Sequence, residues 1–227
     1  MTISNETRSR VKSIFEPIAL ALGRLGLTPD ALTLIGFAIT TVGAVLLGLG
    51  VWVAGGLVVF FGGAFDMFDG TLARATGRVT KLGAFMDSVF DRWGEALVYV
   101  GIVWGCVAGE FGLGALLAAA AMASAFLVSY ARAKSEGLGF TAGTGMAAVG
   151  LAPREIRLVV VSLGLVAAGL TGGVAGAPGA GWTDFSAGRG WLALALGLIA
   201  LGATATVVQR ILHVRAQARE GAPGPIA

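Results

Sequence analysis

What this chain has least of is charge. Only 13% of its 227 residues are Asp, Glu, Lys or Arg, about half of the roughly 25% expected in a soluble domain. With 56% apolar residues and a mean hydropathy of +0.84, an ordinary water-soluble globule is excluded. Cysteine is almost missing: the lone Cys106 rules out an internal disulfide and reads as a small buried hydrophobe. Histidine is equally scarce. His213 stands in the basic C-terminal stretch and reads as solvated. A secretory signal peptide is not expected either, because Glu16 and Arg24 interrupt the first apolar run and no cleavage site follows it. Glycine, in contrast, occurs 37 times, which suits helices that approach closely inside a bilayer.

What is present arranges itself as one membrane domain covering 1–227. In residues 1–27, Val11, Ile14, Phe15, Ile18 and Leu22 recur at helical spacing while Arg8, Arg10, Lys12 and Glu16 fall largely elsewhere. That pattern predicts an amphipathic helix lying in the membrane interface. Thr28-Pro29-Asp30 then supplies a helix cap with proline in the first turn. Apolar segments follow at 31–53, 56–75, 82–107, 111–133, 156–174 and 190–212, each near or above the ~20 residues that cross the hydrocarbon core. The expected fold is therefore an all-α polytopic bundle of six transmembrane helices over 31–212, with a tail at 213–227. Six crossings put both termini on one side. The basic residues from Arg8 to Arg219 gather at that face, with Arg92 one turn inside it and Arg189 alone assigned to the other. The positive-inside rule makes the basic face cytoplasmic; the expected location is the cytoplasmic membrane of a prokaryote. Residues 137–152 read as a flexible glycine-rich loop on that side, and 171–189 as an outward connection.

The chemistry is concentrated in DMFDGTLARATGRVTKLGAFMDSVFD, residues 66–91. Asp66 and Asp69 are spaced i,i+3, and Asp87 and Asp91 i,i+4, so on helices each pair shares a face. Two apolar helices joined by a short turn holding Arg74, Arg78 and Lys81 are expected to run antiparallel and bring the pairs together. Carboxylates within a membrane are costly and are usually paired and functional. Arg74 and Arg92 would offset part of the charge, and a purely structural ion-pair cluster is the plain alternative. Oxygen-only ligands without Cys or His favour Mg²⁺ or Mn²⁺, and four carboxylates suffice for two ions, which suits phosphoryl transfer. Gly70 lets a planar ligand approach the helix, and Gly83 is expected to permit close contact between the second and third apolar segments.

Asp66-x2-Asp69-Gly70-x2-Ala73-Arg74-x8-Gly83-x3-Asp87-x3-Asp91 resembles the CDP-alcohol phosphotransferase signature at every fixed position. The resemblance implies an enzyme that moves a phosphatidyl-type group from a CDP-linked lipid, such as CDP-diacylglycerol, to an alcohol, releasing CMP, and that works as a homodimer. It further implies metal binding by Asp66, Asp69, Asp87 and Asp91, with Asp87 and Asp91 catalytic and Asp91 a ligand or the base for the acceptor hydroxyl. Asp69, Gly70 and Ala73 would border the nucleotide, and Arg74 and Arg78 the CDP-lipid diphosphate. Where many members carry Asn after the proline that precedes the first span, this chain has Asp30.

A second constellation concerns the acceptor. Arg132, Lys134, Arg154, Arg157 and Arg210 should gather on the aspartate face as a site for an acceptor that already carries phosphate; the positive-inside bias alone is the alternative. SYARAKSE followed by EIRL resembles the SYxKARAE and ERL segments of actinobacterial phosphatidylinositol-phosphate synthases, with Lys and Arg exchanged at 132 and 134. The resemblance implies inositol 1-phosphate as acceptor, with glycerol phosphate second, since MDSVFDRWGE lacks the wording typical of phosphatidylglycerol-phosphate synthases. An ether-lipid donor remains open. A cation transporter using the aspartates is the reading from a different class. No nucleic-acid partner is expected.

Overall fold

The structure is a computed structural model in which residues 16–140, 149–175 and 186–220 are described. The described residues are helical and contain no strand. A segment at 16–24 (α1) precedes α2 (Pro29–Gly48), α3 (Trp52–Phe65), α4 (Met67–Ala75), α5 (Lys81–Ala108), α6 (Gly112–Gly137), α7 (Arg154–Leu170) and α8 (Ala187–Glu220). Local chemistry explains two of the starts. Thr28 caps α2 by accepting from the Ala31 amide at 3.2 Å, with Pro29 as its first residue. Thr80 caps α5 by accepting from the Gly83 amide at 2.9 Å.

Six of these helices close into a ring. α2 packs on α5 and α3, α3 on α7, α7 on α8, α8 on α6, and α6 back on α5. The shared core draws Leu47, Val59, Ile102, Ala121, Leu165 and Leu196 from the six. Because lipid tails are as apolar as the side chains, close approach rather than water expulsion holds such a bundle. At Gly101 of α5, a Cβ would run into the Ala44 carbonyl of α2, so this crossing needs the bare backbone. The outside is correspondingly oily: Phe61 is 63% exposed and Leu201 73%.

Among the described residues four stretches are long and apolar enough to cross a membrane: Pro29–Gly48, Trp52–Ala75, Gly112–Gly137 and Ala187–Arg219. The second combines α3 and α4, which meet at Asp66 with helical dihedrals on both sides. Of the other two ring helices, α5 spans 28 residues and carries the third and fourth aspartates, while α7 has 17. The protein is an integral membrane protein.

Three expectations change. The aspartate helices do not form a packed hairpin, because α2 lies between them as the partner of α3, α4 and α5. Gly83 therefore faces Asp30 at the start of α2, 3.3 Å from a would-be Cβ, rather than the second apolar segment. The last helix runs on to Glu220 instead of ending at 212. Residues 1–15, with most of the amphipathic pattern, and 141–148, 176–185 and 221–227 lie outside the described residues.

Candidate active site

Asp66 sits where α3 passes into α4, Asp69 one turn further, and Asp87 and Asp91 on successive turns of α5. The ring geometry brings them together at one end. Asp66 and Asp91 lie side by side, and Asp87 is within electrostatic reach of Asp66, Asp69 and Asp91.

Each carboxylate has a different environment. Asp69 is buried (5% exposed) and accepts from Thr33 Oγ1 of α2 at 2.5 Å and from the Gly70 amide. Asp66 and Asp91 share one guanidinium: Arg154 Nη2 meets Asp66 Oδ2 at 2.8 Å and Arg154 Nη1 meets Asp91 Oδ1 at 3.0 Å. Arg92 reaches the other Asp91 oxygen only at 3.5 Å, while donating to Ser88 O at 2.9 Å. Asp87 makes no hydrogen bond or ion pair among the described residues. The chief counter-charge is thus Arg154, not Arg74 or Arg92; Arg74 lies along its own helix, near Gly70 and Thr71.

The donor set fits a divalent cation. Four oxygen-only side chains meet at this end while the bridging guanidinium pairs with only Asp66 and Asp91, leaving an excess of negative charge where like charges repel. Among the described residues no three acidic or His/Cys side chains converge as ligands in this arrangement; Arg154 occupies the gap between Asp66 and Asp91 instead. Asp66, Asp69, Asp87 and Asp91 are the residues that would hold the metal.

The wall that shapes this cluster escaped sequence reasoning. Thr33 and Gly36 lie one turn apart on α2, and a Cβ on Gly36 would collide with the Asp66 carboxylate. The available signal was the buried run Thr33, Gly36, Thr40, Gly43 and Ala44, hidden among so many other glycines. Glu95 was missed as well, although it lies one turn beyond Asp91.

In the proposed phosphate group Arg210 lies within electrostatic reach of Arg132 and Arg157, but two of its members spend their donors on the protein itself. Arg157 is 2% exposed; Nε and Nη2 each donate to a Glu95 oxygen at 2.8 Å, and Nη1 donates to Ala152 O at 2.8 Å. Arg210 is also buried, donating to Val149 O at 3.1 Å and to Val128 O. Both are turned into the protein, where they hold the start of α7 and its preceding segment in place. Thr206 helps by accepting from the Leu151 and Ala152 amides. Arg132 and Lys134 remain exposed at the end of α6, with Arg132 Nε on Glu136 at 2.9 Å. Below Arg154, a cavity of ≈ 30 Å³ opens between α2, α3, α5 and α7, bordered by Thr40, Gly63, Glu95, Tyr99 and Arg157, with room for a water molecule.

The chain is similar to known proteins in sequence and in fold. A family model described as CDP-alcohol phosphatidyltransferase covers residues 26–213. A phosphatidylinositol phosphate synthase of Mycobacteroides abscessus is 33% identical over 94% of this chain and 87% of its own. An archaetidylinositol phosphate synthase of Pyrococcus horikoshii is 34% identical over 69% of this chain and 79% of its own. Among solved structures, the phosphatidylinositol phosphate synthase of Mycobacterium tuberculosis in complex with manganese and citrate superposes with a TM-score of 0.73 at 30% identity, covering 88% of both chains. The same protein with CDP-DAG bound gives 0.72 at 30% identity, over 89% of this chain and 94% of that one.

Proposed function

The chain belongs to the CDP-alcohol phosphatidyltransferase family, and on that premise we propose that it transfers the phosphatidyl group of CDP-diacylglycerol to a hydroxyl of inositol 1-phosphate, releasing CMP. The observation that carries this reading is the opposition of the aspartate cluster to Arg154, whose carrier α7 starts at the same end of the bundle. The relatives named phosphatidylinositol phosphate synthase support the acceptor, and the archaeal relative keeps an ether-lipid donor as a second reading. Membership of an enzyme family displaces the cation-transport alternative.

In this reading the acceptor oxygen bonds to the phosphorus nearest the lipid, the bond from that phosphorus to the bridging oxygen breaks, and CMP departs with that oxygen. Asp91 takes the hydroxyl proton, which requires it within hydrogen-bond reach of the acceptor. Asp69, Gly70 and Ala73 border the nucleotide, and Arg74 and Arg78 face the diphosphate. Arg132, Lys134 and Arg154 bind the acceptor phosphate, with Arg157 and Arg210 holding that end of the bundle in shape. Two divalent ions, Mg²⁺ or Mn²⁺, held by Asp66, Asp69, Asp87 and Asp91, would neutralise the diphosphate and stabilise CMP as leaving group. The six ring helices are assigned as six spans of one domain, the site and both termini cytoplasmic in a prokaryotic membrane, residues 1–27 interfacial, and the enzyme a homodimer.

The test is an assay on purified protein with CDP-diacylglycerol, Mn²⁺ and radiolabelled inositol 1-phosphate, free inositol or glycerol 3-phosphate. Lipid product and CMP should form fastest with inositol 1-phosphate. Faster turnover of glycerol 3-phosphate would reassign the acceptor, and absence of CMP with every acceptor would remove the reading.

A further inference from the structure

Arg154 occupies the space between two carboxylates that come from different helices. Its guanidinium ties Asp66 at the α3–α4 junction to Asp91 of α5, and its side chain is still 29% exposed, so it has a way out toward solvent. It is not locked in place as its neighbour is. Arg157, one turn on, uses three nitrogens on Glu95 and Ala152 O and fixes the helix start. Among the described residues the hydrogen bonds and ion pairs of Arg154 go to the two aspartates alone. A guanidinium and a divalent cation are alternative counter-ions for the same oxygens.

We infer that Arg154 is the resident counter-ion of the cluster and competes with divalent metal for Asp66 and Asp91. Metal binding displaces the guanidinium, which then becomes available for a phosphate at the same end of the bundle. The second half rests on the acceptor-phosphate reading above; the competition does not. The consequence is an order of binding: metal first, anionic acceptor second. One guanidinium thereby offsets two of the four carboxylates before the metal arrives.

Mn²⁺ titrations of purified wild type, Arg154→Gln and Arg154→Lys, followed by calorimetry and thermal melting without any substrate, test this. Arg154→Gln should bind Mn²⁺ about ten-fold tighter, because two partly exposed ion pairs together amount to roughly that factor. It should also melt lower than wild type without metal and gain more from Mn²⁺. Arg154→Lys, which keeps a charge but loses the fork, should fall between the two and serves if the glutamine variant does not fold. Unchanged or weaker Mn²⁺ binding in both variants overturns the competition. A separate titration with inositol 1-phosphate reads the other half: wild type should bind it measurably tighter with Mn²⁺ than without, and Arg154→Gln should lose that gain. Tighter Mn²⁺ binding with an undiminished gain supports the competition but removes Arg154 from the acceptor-phosphate group.

Discussion

Arg157 of α7 meets Glu95 of α5 as a two-pronged fork, each oxygen of the carboxylate taking one guanidinium nitrogen at 2.8 Å. Glu95 is one turn from Asp91, and Arg157 one turn from Arg154. The pair therefore sets the position of the α7 start against α5, and with it the placement of Arg154 between Asp66 and Asp91. Removing one partner of a buried charge pair leaves the other uncompensated, at a cost of about 3 kcal/mol. Arg157→Ala should lower the melting temperature in detergent markedly and reduce activity with it. Wild-type melting combined with a rise confined to acceptor KM would instead place Arg157 on the acceptor.

Thr33 supports Asp69 from the neighbouring helix. Groups that orient a metal ligand commonly contribute ten-fold or more to affinity. Thr33→Val, which keeps the shape and loses the hydroxyl, should weaken Mn²⁺ binding by about ten-fold with little change in melting temperature. Unaltered Mn²⁺ affinity would show that the hydroxyl does not orient Asp69.

Gly36 is bare because the Asp66 carboxylate lies where its Cβ would be. Gly36→Ala should push that carboxylate aside and lower kcat by up to about 100-fold, the scale of a one-ångström misplacement. Full-length protein in the membrane fraction at normal yield, assayed for CMP release, separates this from failure to insert. Wild-type turnover would mean that Asp66 moves without consequence.

Asp87→Asn and Asp91→Asn remove carboxylates without changing volume. Both should lose at least about 100-fold in CMP release, the range of a positioned acid–base group. Chelation of the wild type should have the same effect, reversed by adding back Mn²⁺ or Mg²⁺. Retention of near-normal activity by Asp91→Asn would exclude it as the base.

The membrane character, the helical class and the aspartate pairs were legible in the sequence. Each is a local property: hydropathy accumulates along a segment, and i,i+3 or i,i+4 spacing places side chains on one face whatever the helix packs against. Arg154 and Arg157 open one helix and Arg210 lies near the end of the next, yet all three carry the same charge and nothing local says which partner each will meet. The ring of helices turns the first toward Asp66 and Asp91, the second onto Glu95 and the third onto backbone carbonyls. Thr33 and Gly36 gain their roles only because α2 packs between the aspartate helices. Which polar group a buried arginine or threonine meets depends on helices distant in sequence, so the carboxylates could be counted beforehand, whereas their counter-ion and their wall were decided by packing.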